Sequence, residues 1–422
     1  MKIKKILLIV FIYILVFPTF TFWAKEPTSR PILKIESGMH TSIIRKVSTD
    51  RFNRYIVSSS DDKTLRVWSL KTGRLIKILR IPIDFGNEGQ IYSVAMSPDG
   101  RHVICAGWTG WNFDKKASIY VFEWRSGRII KRISGLNNVI VHLEYSKNGK
   151  YFIACLQGRM GIRLFDARTY KLIGKDSNYG GVTYHAGIKE DVILSVSYDG
   201  YIRFYTFNSR GLELLSKTRT VSGKRPYTIK ISPDGRKIAV GYNDSSKVDV
   251  FEILRSSVEY AYSPSNKGVL KTETLSSVCW SIDGKTLYAA GGHQVYYQKS
   301  WTRMIRKWSR KGRGRYEDLP ASRDAVIHMV ALNNGGILYG SADPSIGIYN
   351  QYGRQLLYND TLSSDFRSNL KGFKVSYDGT IVRFGYKLYG KDPVEFHLKK
   401  RALYNQSKET RYLKSADTKS LN

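Results

Sequence analysis

The chain has 422 residues, with 68 Lys and Arg against 35 Asp and Glu, and a formal net charge of +33. Its 42% content of hydrophobic residues is typical of a folded globular protein and excludes collagen, coiled coils and multi-spanning membrane proteins. The three cysteines, Cys105, Cys155 and Cys279, are odd in number and far apart, which argues against a disulfide framework and a CxxC-type zinc site.

The first 24 residues are typical of an export segment. Three lysines within residues 2–5 precede an unbroken apolar run over 6–17, which is the layout of a secretory signal peptide. Cleavage after Ala24 would place Phe22 where a small residue is preferred, and residues 6–24 are also long enough for one tilted membrane span. We therefore expect an extracytoplasmic protein, periplasmic or secreted. The segment is either removed or kept as an inner-membrane anchor.

A four-residue turn recurs along the rest of the chain, every 41 to 51 residues. It has the form Ser-x-Asp/Asn-Gly at 97–100, 146–149, 232–235, 281–284 and 376–379, with degenerate copies at 48–51, 187–190 and 332–335. Asp-Gly and Asn-Gly are strong signals for tight turns between β-strands. Internal repeats of this length, with four β-rich runs in each and no helical period, predict an all-β fold, a single β-propeller of four-stranded blades.

The first repeat carries residues that resemble the WD40 pattern. Gly38-Met39-His40 stands where that family has Gly-His, and Trp68-Ser69 stands where it has Trp-Asp. The resemblance implies a structural tetrad of hydrogen-bonded side chains, here His40, Ser58, Asp62 and Trp68, that ties a tight turn to the neighbouring strands.

Eight units can be counted, so we expect eight blades, with seven blades plus an extra hairpin as the alternative. The eighth unit shows no clear fourth strand, and residues 31–37 form a spare strand that would complete it and close the ring, removing a free edge. The predicted propeller therefore covers residues 31–403, between the export segment (1–24) and a polar, basic tail (404–422).

Several segments also resemble the first propeller of exported bacterial WD40 proteins whose longer members end in a caspase-like peptidase domain. They include residues 38–41, 60–64, 86–89, 107–110 and 372–386. The chain shows no peptidase domain and no Gln-Ala-Cys-x-Gly-like motif around a cysteine. The resemblance therefore implies recognition by the propeller and not proteolysis, with the thiols expected to be buried and inert.

Two surface features are candidates for binding. The first is a long, aromatic connection in the second blade, with its neighbours, which would suit a protein partner: Asn87, Glu88, Trp108, Trp111 and Phe113. The alternative is that these aromatic residues form a local cluster over the blade. The second is a basic run without an acid, which would suit an anionic lipid or envelope polymer: Lys299, Arg303, Arg306, Lys307, Arg310, Lys311, Arg313 and Arg315. Its alternative is a solvated hairpin in a generally basic chain.

No catalytic motif, cofactor motif or metal-ligand cluster is apparent in the sequence. His142 and His328 lie on innermost strands of blades expected to face each other, but no carboxylate joins them at ligand spacing. We therefore expect a non-enzymatic, monomeric interaction scaffold without metal or cofactor, exported or tethered to the membrane. One alternative is a cryptic hydrolase or oxidoreductase site in the central channel. The other is a cytoplasmic nucleic-acid-binding propeller, which the predicted export disfavours.

Overall fold

The structure, a computed structural model, describes residues 38–359 and four short strands at 374–375, 381–384, 394–397 and 402–405. The export segment, the strand predicted over 31–37 and most of the predicted tail lie outside the described residues. The described part consists almost entirely of β-strands, as predicted, with one short α-helix, α1 (Trp111–Asp114), and one 3-10 turn at Arg310–Gly312.

The strands form four-stranded antiparallel sheets, each made of consecutive strands. The first sheet contains β1 (Ile44–Thr49), β2 (Tyr55–Ser60), β3 (Leu65–Ser69) and β4 (Leu75–Leu79), and the second contains β5 (Ser93–Met96), β6 (His102–Ala106), β7 (Ala117–Glu123) and β8 (Arg128–Leu136). The third contains β9 (Ile140–Tyr145), β10 (Tyr151–Leu156), β11 (Ile162–Asp166) and β12 (Leu172–Asp176), and the fourth contains β13 (His185–Lys189), β14 (Val192–Ser197), β15 (Tyr201–Asn208) and β16 (Gly211–Arg219). The fifth sheet contains β17 (Pro226–Ile231), β18 (Lys237–Tyr242), β19 (Val248–Ile253) and β20 (Val258–Tyr262). The sixth contains β21 (Ser277–Trp280), β22 (Leu287–Tyr297), β23 (Ser300–Trp308) and β24 (Tyr316–Ser322), and the seventh contains β25 (Val326–Ala331), β26 (Ile337–Ser341), β27 (Ile346–Tyr349) and β28 (Gln355–Asn359). A further sheet contains β29 (Lys374–Val375), β30 (Ile381–Phe384), β31 (Val394–His397) and β32 (Ala402–Asn405).

Seven of these sheets are the blades of a closed propeller, so the expected count of eight is wrong and the alternative count of seven is correct. The ring closes between β25 and β1, where the His328 imidazole lies 3.1 Å from the carbonyl oxygen of Val47. At this seam Gly340 lets the blades approach closely, because a Cβ there would lie 2.8 Å from Ile44. The eighth repeat forms the separate sheet β29–β32 and is not inserted in the ring.

The seventh blade takes all four of its strands from residues 326–359, so the expected closure by an N-terminal strand is not needed. The first and seventh blades instead pack laterally, with Ile44, Val47 and Trp68 in one apolar cluster with Leu338 and Ile348. Similar clusters fill the spaces between other neighbouring blades, such as the first and second.

The recurring turn has a local physical cause. At 97–100 the Ser97 hydroxyl donates to Asp99 (2.6 Å) and accepts the backbone N–H of His102 (2.8 Å). Gly100 has φ of +73°, a conformation that costs a residue with a Cβ. The same Ser–Asp hydrogen bond occurs at Ser232 and Ser281, which explains why this turn marks the repeats in the sequence.

Candidate interaction face and central channel

The tetrad expected in the first blade is assembled as a hydrogen-bonded chain. His40 contacts Asp62 through Nδ1 (2.8 Å) and Ser58 through Nε2 (2.7 Å), and Trp68 Nε1 donates to Ser58 Oγ (2.9 Å). Burial would raise the pKa of Asp62, but His40 outweighs burial and lowers it. The arrangement connects three segments of one blade and is structural in character.

The sixth blade contains a buried network that the sequence analysis did not predict. His293 Nδ1 lies 2.8 Å from Glu273, and Arg306 makes a bidentate ion pair with Asp318 at 2.7 Å. Burial opposes ionisation of Asp318, but Arg306 and His293 outweigh it and lower its pKa to about 2. The sequence does contain a sign of the ion pair. Asp318 lies on the strand that follows the strand of Arg306, and the two residues are directly opposite each other across β23 and β24.

The candidate partner loop of the second blade packs largely on itself. Glu88 is buried and accepts the backbone N–H groups of Gly110 and Asn112, which fixes the loop around α1. Trp108 and Trp111 are partly buried, with ring centroids 6.0 Å apart. Phe113 is buried and Asn87 is exposed. The structure brings these residues together as a local cluster, and their role in binding stays a prediction.

The basic run is divided between internal contacts and solvent. Arg306 is only 1% exposed, and Arg303 donates to the carbonyl oxygen of Gly292. Three more cations have partners from other strands: Lys307 with Glu317 (3.2 Å), Lys311 with Asp234 (3.2 Å) and Arg313 over the Tyr262 ring (4.2 Å). Lys299, Arg310, Lys311, Arg313 and Arg315 are exposed. The acids absent from the run itself are supplied by its neighbours, and anion binding by the exposed members stays a prediction.

Three exposed aromatic side chains, Tyr296, Tyr297 and Trp301, lie together on one face of the ring, whereas Phe52 and Tyr352 are exposed on the opposite face. We call the face with the group of three the upper face: it carries the connections between second and third strands and those between successive blades.

The tip of the β22–β23 hairpin extends past the rest of its sheet. Arg303 is the residue of β23 nearest the tip that still pairs with β24, and residues 295–302 pair only with each other. At its tip Tyr296 and Trp301 are 62% and 61% exposed, with their rings 5.7 Å apart in an edge-to-face contact.

The upper face also contains the mouth of the central channel. Here the Arg45 guanidinium binds Asp61 at 2.8 and 2.7 Å and lies over the Tyr92 ring at 4.8 Å. The Tyr184 and Tyr227 rings lie nearby, tilted against each other with their centroids 4.9 Å apart. These partly buried side chains come from the first, second, fourth and fifth blades, so the channel mouth is aromatic.

Deeper in the channel lie three buried histidines, His142, His185 and His328. The His142 and His185 rings are stacked at 3.8 Å, and those of His185 and His328 lie 6.0 Å apart. The expectation that no carboxylate accompanies them was wrong, because Glu144 lies 3.6 Å from His142. Lys230 lies 3.3 Å from the same carboxylate.

The three cysteines are also buried, as expected, and burial raises the pKa of each thiol; for Cys279 it reaches about 12. Such thiols are protonated at neutral pH and poor nucleophiles. Among the described residues, none forms a helix long and apolar enough to cross a bilayer.

The closed ring of four-stranded blades defines a seven-bladed β-propeller, and its first repeats match the WD40 repeat. The family model described as "WD domain, G-beta repeat" matches residues 34–69 and 77–120, which include the first blade's tetrad and most of the second blade.

Among curated proteins, the Ribosome biogenesis protein BOP1 homolog of Drosophila ananassae is 38% identical over 92 residues, which is 20% of this chain and 11% of that protein. The human WD repeat and SOCS box-containing protein 1 is 38% identical over 82 residues, or 18% of each chain. The matches thus span less than a fifth of these relatives and concern the repeats they share.

Proposed function

We propose that this protein is a non-enzymatic interaction scaffold, exported or tethered to the membrane, that binds a protein partner on its upper face. WD40 propellers commonly serve as rigid platforms for protein partners, and function on such a fold depends on its loops. The observation that carries the proposal is the projecting β22–β23 hairpin with its exposed aromatic tip.

The hairpin has the properties of a binding anchor. Large exposed aromatic residues such as Trp301 and Tyr296 are frequent hot spots, because they bury much apolar area at a small entropic cost. A positive φ at Gln298 and Lys299 closes the tip with a tight turn, so the two strands present these rings in a fixed arrangement.

Other exposed apolar side chains extend this surface around the upper face. Those in the connections between blades are Phe85, Val221 and Leu270, and those of the hairpin include Val295 and Tyr297. The opposite face exposes fewer, more scattered residues, namely Phe52, Leu254, Ile282 and Tyr352. The wide aromatic surface favours a protein partner over a small ligand.

The location is proposed from the N-terminal sequence. The basic start and the apolar run over 6–17 support export, and the high positive charge favours contact with anionic components of the cell envelope. Protease added to intact cells or spheroplasts should therefore cleave the propeller, and mass analysis of the N-terminus would show whether 1–24 is retained. Complete protection, with the protein in the cytoplasm, would contradict export.

Site-specific crosslinking tests the binding surface. A photoreactive amino acid in place of Trp301 should give discrete crosslinked products in cells, whereas the same group in place of Phe52, 55% exposed on the opposite face, should not. Once the crosslinked partner is identified, Trp301→Ala should weaken its binding by at least thirtyfold, about 2 kcal/mol for a hot-spot tryptophan. Equal crosslinking from both positions, or unchanged affinity of Trp301→Ala, would contradict the proposed surface.

A further inference from the structure

The three channel histidines have an unusual hydrogen-bonding state. His142 Nε2 lies 3.0 Å from the carbonyl oxygen of Ala186, and His328 Nδ1 lies 3.1 Å from that of Val47. A nitrogen this close to a carbonyl oxygen carries the proton and donates it, so the other nitrogen of a neutral ring is an unprotonated acceptor. The backbone therefore fixes the tautomer of His142. His328 Nδ1 also faces the backbone N–H of Val47 at 3.4 Å, so its contacts are compatible with either tautomer.

The remaining nitrogens are buried and unpartnered among the described residues. They are Nδ1 of His142, Nε2 of His328 and both ring nitrogens of His185. Buried polar atoms are nearly always satisfied, so a cluster of four such atoms in one channel points to an occupant. A neutral His185 offers it one lone pair and one N–H, and His142 offers it the lone pair of Nδ1. A ring whose N–H is held by a backbone carbonyl, with a lone pair aimed elsewhere, is the usual arrangement of a metal-binding histidine.

A carboxylate completes a set of donors. One potential ligand atom from each of His142, Glu144 and His185 lies within 4.8 Å of the others. We propose that these three residues bind one divalent transition-metal ion of the zinc, nickel or cobalt type in the propeller channel. Two histidines and one carboxylate are a common donor set for such ions, and an Mg²⁺ or Ca²⁺ site would instead need more oxygen ligands.

The geometry requires side-chain movement on binding. Glu144 lies 3.6 Å from His142 Nε2, the nitrogen that donates to Ala186, so the carboxylate must turn toward Nδ1. Ligand distances of about 2.1 Å around a tetrahedral ion place donor atoms about 3.4 Å from each other. The donors must therefore move closer by side-chain rotation from their present spacing of up to 4.8 Å. Glu144 must also share its carboxylate with Lys230, which lies 3.3 Å away.

A small anion is the competing occupant, because Lys46 and Lys230 both contact the channel. It fits the hydrogen bonding less well. The N–H group of His142 is already used by a carbonyl oxygen, so this ring would turn a lone pair toward the oxygens of an anion. The two lysines next to the site make us expect weaker binding than in a structural zinc site.

Metal titration of the whole, tag-free protein tests the proposal. Chelator-treated protein should bind close to one equivalent of Co²⁺, with the visible absorption of a nitrogen-coordinated ion, and Zn²⁺ should displace it. His185→Ala and Glu144→Gln should each weaken Co²⁺ binding at least tenfold. The matched control is His102→Ala, which removes a histidine at the start of β6, outside the channel cluster, and should bind as wild type does.

Three results would overturn the metal site. They are the absence of any coordinated Co²⁺ spectrum in the wild-type protein, the same affinity in both channel variants and the control, and stabilisation against heat by phosphate or sulfate but not by Zn²⁺. If His185→Ala fails to fold, His185→Gln serves in its place, and the wild-type titration is decisive without any variant. None of these results depends on the partner proposed for the upper face.

Discussion

Replacing Asp318 by Asn tests whether Arg306 is a structural residue. Arg306 is 1% exposed, and its guanidinium donates from Nε and Nη2 to the two carboxylate oxygens of Asp318. The amide of Asn keeps the shape but removes the charge, so Arg306 remains buried without its counter-ion. The same guanidinium also donates to the carbonyl oxygen of Lys267 (2.7 Å), which persists in the variant.

The expected loss is about 3 kcal/mol of unfolding free energy. Breaking a buried ion pair by removing one partner costs about 3–5 kcal/mol. The Asp318 side chain is 21% exposed, so water compensates part of the loss and the lower end of the range applies. Glu317→Gln provides the matched control: Glu317 is 53% exposed and pairs with Lys307, so its replacement should change stability by less than about 0.5 kcal/mol.

Urea denaturation followed by tryptophan fluorescence measures both variants, because Trp308 is buried on the same strand as Arg306. The double variant Arg306→Met/Asp318→Asn should be more stable than Asp318→Asn alone, since it removes the unpaired charge. If Asp318→Asn unfolds at the same urea concentration as Glu317→Gln, the ion pair is not structural. Arg306 would then return to consideration as an anion-binding residue.

Three further predictions concern other parts of the ring. The difference in unfolding free energy between the wild type and Asp318→Asn should shrink by about 2 kcal/mol as pH falls from about 4 to 2. Folding lowers the pKa of this carboxyl from 3.8 to about 2, so the carboxylate stabilises the fold above the higher value and loses that effect as pH falls to the lower one. Denaturation at several pH values checks this. Ser58→Ala should cost about 2 kcal/mol in urea denaturation, because Ser58 Oγ accepts from Trp68 Nε1 and contacts His40 in the buried tetrad; a loss under 0.5 kcal/mol would contradict a structural tetrad. Gly241→Ala should lower the melting temperature, because its Cβ would lie 2.5 Å from the carbonyl oxygen of Ser276 in the next blade, at a cost of about 1–3 kcal/mol. Gly187→Ala meets only the Ile231 side chain at 3.4 Å and is the control; equal melting of the two variants would refute the argument.

The fold could be predicted because its signal is local. Three blades repeat a turn in which a serine, an aspartate and a glycine make the same hydrogen bonds, at 97–100, 232–235 and 281–284, and a fourth has Asn148 in place of the aspartate. The number of blades could not be predicted from that signal. The turn marks a β-hairpin, and whether the unit joins the ring depends on how β25 packs on β1, which involves residues 281 positions apart.

The surroundings of the basic run and the channel were harder to predict for a related reason. Charges counted along the chain show eight cations and no acid, but β-sheet pairing places Asp318 directly opposite Arg306. His142 and His328 each lie four residues before a repeat turn, whereas His185 lies two residues before a degenerate one. Because this spacing differs, the sequence pattern does not predict that His185 lies between the other two histidines. The channel cluster is visible only in the folded chain.

The seam between the first and seventh blades has a consequence for synthesis. Val47 and Ile44 on β1 are fully buried there, yet their partners on the last blade lie about 280 residues later in the chain. At a translation rate of about 5–20 residues per second, this apolar edge waits about 15–60 s for its partner. During that time an edge strand with an uncovered apolar face can pair with another chain. The edge of β1 in a nascent chain is therefore open to mispairing until the seventh blade has been made.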